Sequence, residues 1–285
     1  MLRDDFAVMI LSHNRYQDRN FDTLKTLKKS GYTGKYYFVL DDADPGIDGY
    51  KKKYGEDHVL IFNKKDVIDK LGFDVMDNSD IWNLGCYARP AIHELAKSVG
   101  LKYFLEMDDD YDSFRYRFPG EPSKAFKKTF DRMVEVYLDF YIKNPQITTL
   151  CFCQGADLSV VQKGEVKRKA MNAFFCSVDR PIMWAGHFND DVNSYIRGNQ
   201  LGEIYLTLPY VQLNQEPSQT NGGAAAAYKT FGTYNKSFYS VLLCPSFVKV
   251  STFSKGFRMS KFRLHHKIDS IHGVAQILSS RWKKK

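Results

Sequence analysis

"KYFLEMDDDYDSFRY", residues 102–116, is the stretch that decides how this chain is read. It opens as an apolar strand and breaks into Asp108, Asp109 and Asp110. Three adjacent like charges repel one another and are costly to hold except in open water or around a cation. Carboxylates are hard oxygen ligands that suit magnesium, manganese or calcium. On an extended backbone Asp108 and Asp110 share a side while Asp109 points the other way. That geometry permits a D-x-D clamp on a metal bound to a diphosphate. An EF-hand does not fit, because no glycine follows at the required offset and Glu121 lies outside any twelve-residue loop. The plain alternative is an acidic turn in solvent. The apolar strand delivering the trio, with Tyr111 and Phe114 behind it, argues against that.

Working outward, the same layout recurs. "FAVMIL" (6–11) runs into "SHNRYQD", "KYYFVL" (35–40) into "DDADPG", "HVLIF" (58–62) into "NKKD", and "GLKYFLEM" (100–107) into the aspartates. Each is a short apolar run feeding a polar loop, as a buried strand does at its carboxyl end. Helical spacing falls between them. Phe21, Leu24 and Leu27 share a face closed by Gly31, and Ile92, Leu95, Ala96 and Val99 share another, with Pro90 expected in the first turn and Gly100 at the stop. The pattern predicts an α/β fold, a mostly parallel twisted sheet flanked by helices, with ligands beyond the carboxyl ends of the strands. "SKAFKKTFDRMVEVYLDFYIKNP" (123–145) predicts one long amphipathic helix capped by Ser123, with Phe126, Phe130, Met133, Tyr137 and Tyr141 on its core face. "ITTLCFC" predicts a further strand, and residues 215–232 a mobile loop over a site.

Composition bounds the rest. The chain has 285 residues, 44% hydrophobic and 26% charged, ordinary for a globular protein with a real core. The expected organisation is one domain over 1–285, with a nucleotide-binding half (1–118), an acceptor half (119–245) and a basic segment (246–285). No apolar run is long enough to span a bilayer, and two acids precede the first apolar stretch, unlike a signal peptide. The five cysteines form no CxxC pair and read as reduced thiols. A cytoplasmic protein is therefore expected, the host cytoplasm if a phage encodes it, with no membrane and no obligate protein partner. From Ser246 onward ten Lys and Arg face one acid, Asp269, a balance of +9 within a chain of net +8. The body before it thus sums to about −1 by subtraction. Cations interleaved with Phe247, Phe253, Phe257, Phe262 and Trp282 suit phosphate backbones and base stacking.

The polar clusters at the strand ends describe a nucleotide-diphosphate site. Asn14 and Arg15 follow the first strand, Lys64 and Lys65 the third. Asp41, Asp42 and Asp44 follow the second and can accept hydrogen bonds from a ribose or a base. Arg89 is placed near a helix start, a ready anion site. Walker A and GxGxxG patterns are absent, which excludes the commonest ATPase and dinucleotide readings. A second acidic cluster, "HFNDDVNSY" (187–195), lies 81 residues past Asp110. It suggests a division of labour in which one carboxylate holds metal and another removes a proton. A helix cap or turn is an equal reading of it. His265 and His266 can complete a metal shell, contact phosphate, or form a plain surface pair.

This order of elements resembles the GT-A glycosyltransferases. More closely, the chain resembles the TET-associated glycosyltransferases, which include the base J glucosyltransferase of kinetoplastids and phage relatives. The resemblance runs over nearly the whole chain through "ILSHNR", "YYFVLDDAD", "VLIFNK", "YFLEMDDDYDSFRYRF", "KRKAMNAFFC", "HFNDDVNSY", "SQTNGG", "FGTYNKSFYSVLLCPSFVKV" and "HHKI". Joint occurrence of "DDDY", "DDVNSY" and "GTYNKSFYS" is what makes it specific. Departures are Asp190-Asp191 for the commoner Glu-Asp, "ARP" for "ARN", and the run "AAAA" (224–227). The resemblance implies transfer of a sugar, glucose or arabinose or similar, from a UDP-sugar to the hydroxymethyl group of 5-hydroxymethylpyrimidine in DNA, foremost 5-hydroxymethylcytosine. It implies a divalent cation, Mn2+ or Mg2+, held by Asp108 and Asp110 with His265 and His266 nearby. Asp191, or its neighbour Asp190, becomes the catalytic base. Ser12, Asn14, Arg15, Asp41, Asp42, Lys64, Arg89 and Asp109 hold the nucleotide-sugar. Gln219, Asn221, Gly222, Gly223, Lys236, Lys255, Arg258, Lys261 and Arg263 face the acceptor DNA. The rival readings are a metal-dependent nuclease or phosphotransferase on DNA, a glycosyltransferase acting on protein or glycan, and a non-enzymatic DNA-binding module.

Overall fold

The computed structural model describes residues 2–17, 22–71, 85–118, 120–154, 170–171, 173–215, 223–252, 266–270 and 276–277. Four strands, β1 (Phe6–Leu11), β2 (Lys35–Asp41), β3 (Val59–Phe62) and β4 (Tyr103–Asp108), pair in parallel in the order β3-β2-β1-β4. Leu11 stands opposite both Val39 and Asp108, and Asp41 opposite Phe62. This register brings the loops that begin at Ser12, Asp42, Asn63 and Asp109 out along one edge. Beyond β4 the sheet turns mixed. β8 (Phe174–Ser177) runs antiparallel to β4 and to β7 (Ile147–Gln154), and β7 is parallel to the long β9 (Ile204–Gln215). β5 (Tyr111–Tyr116) pairs antiparallel with β9, and the two-residue β6 (Lys124–Ala125) pairs with β5. A hairpin of β10 (Val248–Thr252) and β11 (His266–Ser270) stands apart from this sheet, while β12 (Gln276–Ile277) returns to it beside β9.

β1 reads as an unbroken apolar run because both of its faces are covered. Phe6, Val8 and Ile10 pack on one side with Leu24 and Leu27 of α1 (Thr23–Ser30) and Phe130, Val134 and Leu138 of α5 (Phe130–Lys143). Ala7, Met9 and Leu11 pack on the other with Ile92 and Ala96 of α4 (Gly85–Ser98) and Val192 and Ile196 of α6 (Asp190–Gln200). α2 (Ile47–Tyr54) and α3 (Lys64–Leu71) complete the parallel half. α1 ends as expected at Gly31, whose φ is +94°; a Cβ there would lie 2.3 Å from the Lys128 backbone, so no side chain fits. All five cysteines are buried free thiols. Among the described residues no helix is long and apolar enough to cross a membrane.

Three sequence expectations are corrected. The helix expected over 123–145 begins only at Phe130: Lys128 takes a left-handed φ of +57°, Thr129 caps the helix, and Lys124–Ala125 pair with β5 instead. Ser123 is not a cap, since its hydroxyl accepts from Arg115 Nε at 2.9 Å. The aromatic face nonetheless packs as expected, with Phe126, Phe130, Met133 and Tyr141 buried and Tyr137 partly so. Second, Pro90 lies inside α4 rather than in its first turn, because Gly85, Cys86 and Tyr87 are already helical. Third, part of the loop expected over 215–232 is helix: α7 (Gly223–Leu243) runs through the alanines and bends at Gly232, with φ 79° and ψ 162°. Alanine is the best helix former, so the run favours this. Residues 216–222 lie outside the described part.

His93 on α4 supplies a test of this packing. It is buried edge-on to Phe104 at 5.1 Å, and Ile182 N–H donates to its Nε2 at 3.4 Å. Burial pushes its pKa down to about 4. The unfolded chain therefore holds a proton on His93 that the fold does not, and stability falls as pH drops from about 6.5 toward 4, on the order of 3 kcal/mol in full. Chemical denaturation across that range should show the loss in the parent and a flatter profile in His93→Leu. Parallel profiles would refute a neutral buried imidazole.

Candidate active site

The loop after β1 is fastened from three sides. Tyr50 on α2 donates its hydroxyl hydrogen to Ser12 Oγ (2.5 Å) and accepts the Arg15 N–H (3.0 Å). Ser12 in turn donates to Asp109 Oδ2 at 2.5 Å, and the Arg15 guanidinium is ion-paired with Asp109. Asn14 takes a left-handed φ of +50°, its N–H donating to Asp44 at 3.0 Å. At the end of β2 Asp41 receives His13 Nδ1 at 2.9 Å and Lys64 Nζ at 3.0 Å. Burial raises the Asp41 carboxyl, but these two partners outweigh it and hold it below the usual range. Asp42 caps the Lys64 N–H at 3.0 Å and so starts α3, while Asp44 also receives Gly46 N–H at 2.7 Å. His13 and Tyr50 are absent from the sequence-derived set. "SHNR" offered His13 as one more loop residue, and Tyr50 reads as an ordinary helix aromatic.

The chain bends at Asp109 instead of staying extended through the trio. Asp108 closes β4, Asp109 turns back to Arg15 and Ser12, and Asp110 leads into β5. Thr23 at the start of α1 pins the turn: its hydroxyl donates to the Asp108 carbonyl (2.7 Å) and accepts the Tyr111 N–H (3.0 Å). Asp110 Oδ1 is buried without a hydrogen-bond partner, as is Oε2 of the fully buried Glu106. Burial, reinforced by Asp108 and Asp109, pushes Asp110 up to about 8. Burial likewise raises Glu106 to about 8 and shifts Asp108 and Asp109 upward. Glu106, Asp108, Asp109 and Asp190 are ion-paired here with two guanidinium groups, Arg15 and Arg89, while Asp110 and Asp191 feel the same charges. The donor set is all hard oxygen and short of positive charge, which fits magnesium or manganese. Among the described residues no three His, Cys, Asp or Glu side chains gather into a ready-made metal cage. Two carboxylates completed by phosphate oxygens and water are the usual arrangement for magnesium. His265 lies outside the described residues; His266 begins β11.

The second acidic cluster forms the first turn of α6, so the helix-cap reading and the catalytic reading fall on the same residues. Asn189 precedes it with φ +54°, and its Nδ2 donates to the Lys236 carbonyl (2.9 Å) and Ser240 Oγ (3.1 Å) of α7. Asn193 holds the same turn through Ala185 and Phe188 carbonyls at 3.0 and 2.9 Å. Asp191 is buried, with Oδ1 accepting the Val192 N–H at 2.7 Å. The positive helix end favours ionised acids there. Tyr87 and His187 pair beside this turn at 2.8 Å. Arg89 joins the two clusters, reaching Asp190 at 2.7 Å, Glu106 at 3.2 Å and Asp108 at 3.4 Å. Residues 82 positions apart thereby meet across one guanidinium.

Of the acceptor set, Lys236 is half-buried and Gly223 opens α7. Gln219, Asn221, Gly222, Lys255, Arg258, Lys261 and Arg263 lie outside the described residues.

The family described as TET-associated glycosyltransferase matches residues 6–224. Among solved structures the chain is similar to glucosyl-3-phosphoglycerate synthase of Mycobacterium tuberculosis in complex with Mn2+, UDP-glucose and phosphoglyceric acid, at 9% identity and a TM-score of 0.45, covering 86% of this chain and 83% of that one. It is also similar to TarS of S. aureus, at 10% identity and a TM-score of 0.39, over 73% of this chain and 60% of that one. Likeness at this level decides nothing about donor, metal or acceptor. No curated protein matches.

Proposed function

The chain belongs to the TET-associated glycosyltransferase family and is a glycosyltransferase, and from that premise we propose that its donor is a UDP-sugar and its acceptor the hydroxymethyl group of a 5-hydroxymethylpyrimidine, foremost cytosine, in DNA. The observation that carries the reading is the meeting of two acidic clusters at the carboxyl edge of the sheet, one of them with a buried carboxylate oxygen left without a partner. Asp108 and Asp110 would hold a divalent cation, manganese or magnesium, which supplies the charge that a departing diphosphate needs. Asp41, braced by His13 and Lys64, would offer acceptors to the nucleoside, and Arg15, paired with Asp109, stands on the neighbouring loop. Asp191 would take the proton of the attacking hydroxyl, with Asp190 beside it ion-paired to Arg89. A single displacement of this kind inverts the anomeric centre. The hydroxymethyl group projects into the major groove, where it is reached directly or after flipping of the base. The ten cations after Ser246 would hold the phosphate backbone.

Mass spectrometry of nucleosides from hydroxymethylated DNA, incubated with the protein, Mn2+ and a panel of UDP-sugars, should show a mass gain that names the sugar. Asp108→Ala and Asp110→Ala should each abolish that gain while circular dichroism stays unchanged. Full turnover in either, with metal present, would sink the metal assignment. Gain on protein or glycan but never on DNA would move the acceptor.

Asp191→Asn should bind UDP as the parent does and lose about 10²–10⁴ in turnover, the range a general base contributes. Transfer surviving in Asp191→Asn but not in Asp190→Asn would hand the role to the neighbour. Removing residues 281–285 takes away four cations. It should weaken DNA binding and flatten its dependence on salt; an unaltered salt slope would leave those cations no part in binding.

A further inference from the structure

Arg89 was expected to contact the donor's phosphates, but its surroundings leave little of it to offer. Its side chain is only 8% exposed. Nε donates to Glu106 Oε1 (3.2 Å), Nη1 to Asp190 Oδ2 (2.7 Å), and Nη2 to Asp108 Oδ1 (3.4 Å). The guanidinium carbon also lies 5.2 Å from the Trp184 ring centroid and 5.8 Å from that of Phe174. Three of its five N–H groups are thus taken by carboxylates, and little of the side chain faces solvent for a phosphate to reach. The three partners come from different places: Glu106 and Asp108 from β4, at the donor edge, and Asp190 from the first turn of α6, one residue before Asp191.

We infer that Arg89 is a positioning residue: it fixes the first turn of α6, and so Asp191, relative to Asp108, and the buried Glu106 anchors Arg89 in turn. The inference rests on the reading of Asp108 as a metal ligand and Asp191 as the base. A planar guanidinium sets direction as well as charge, because its N–H groups form a rigid fork. Lysine keeps the charge and one contact but cannot hold three carboxylates in fixed directions. Arg89 also links the two ends energetically. A positive charge shared between Asp190 and Asp108 competes with a cation at Asp108, and neutralising Asp190 turns more of it onto Asp108.

Two measurements on the full chain test this. In steady-state transfer, Arg89→Lys should lower kcat by about tenfold or more, with donor KM and the Kd of UDP in Mn2+ held within about threefold. A direct phosphate contact would instead raise KM and Kd by tenfold or more. A merely structural role would lower the melting temperature and the active fraction without this split. Either result overturns the inference. Manganese affinity, read by electron paramagnetic resonance, gives an arm independent of turnover. Asp190→Asn should weaken Mn2+ binding by about threefold or more in the parent, and by clearly less in the Arg89→Lys background, the signature of coupling through one group. Equal effects in both backgrounds refute the coupling. If the parent binds no Mn2+ at all, the metal reading of Asp108 has failed first and takes this inference with it. Glu106→Gln, which keeps an acceptor oxygen but no charge, should follow Arg89→Lys in the same direction with a smaller drop in kcat. A parental kcat in that variant would remove Glu106 from the assignment.

Discussion

A guanidinium taken out of water must be paired, and Arg89 is paired three ways. Removing one member of such a cluster leaves an uncompensated buried charge, which costs several kcal/mol. Each of its acids therefore depends on it, and it depends on them. Glu106 has no exposure at all and a raised pKa, so its partnership with Arg89 is what makes an ionisable side chain tolerable in the middle of β4. From that strand the dependence spreads. Asp108 closes it, Asp109 reaches Arg15, and Thr23 ties the turn to α1. Around one cation the sheet edge and the start of α6 are brought to a common geometry.

Much of the parallel half was legible because its physics is local. An apolar run followed by a polar loop marks a buried strand and its carboxyl end whatever surrounds it, and β1, β2, β3 and β4 fall where those runs are. What escaped was set by packing. Arg89 looked like an anion site near a helix start because Pro90 reads as a first-turn residue; with α4 helical from Gly85, the side chain faces inward instead. Its partners lie 17, 19 and 101 residues away, a relation no spacing rule carries. The long helix failed at Lys128, where a left-handed residue interrupts an otherwise continuous periodicity. Tyr50 and His13 became site residues only once α2 and the loop after β1 were laid side by side.

The charge of the chain is divided to match two tasks. The carboxyl edge of the sheet gathers acids in excess of cations, which suits a metal and repels a bare polyanion. The cations gather after Ser246, at the far end of the sequence. The hairpin of β10 and β11 starts that segment, and β12 brings the chain back to β9. Thr252 at the end of β10 pairs with His266 at the start of β11.

The continuity of the sheet has a mechanical meaning. β4 lies between β1 on one side and β8 on the other, and four residue pairs from Tyr103↔Ser177 to Glu106↔Phe174 stitch it to β8. Swinging one half of the molecule away from the other would unzip that seam and expose two packed cores at once. Among the described residues, the run of β1, β4 and β8 shows no break at which a hinge of the kind that closes two-lobed enzymes could sit. A sheet stitched in this way acts as a stiff frame, holding the strand ends at fixed distances from one another.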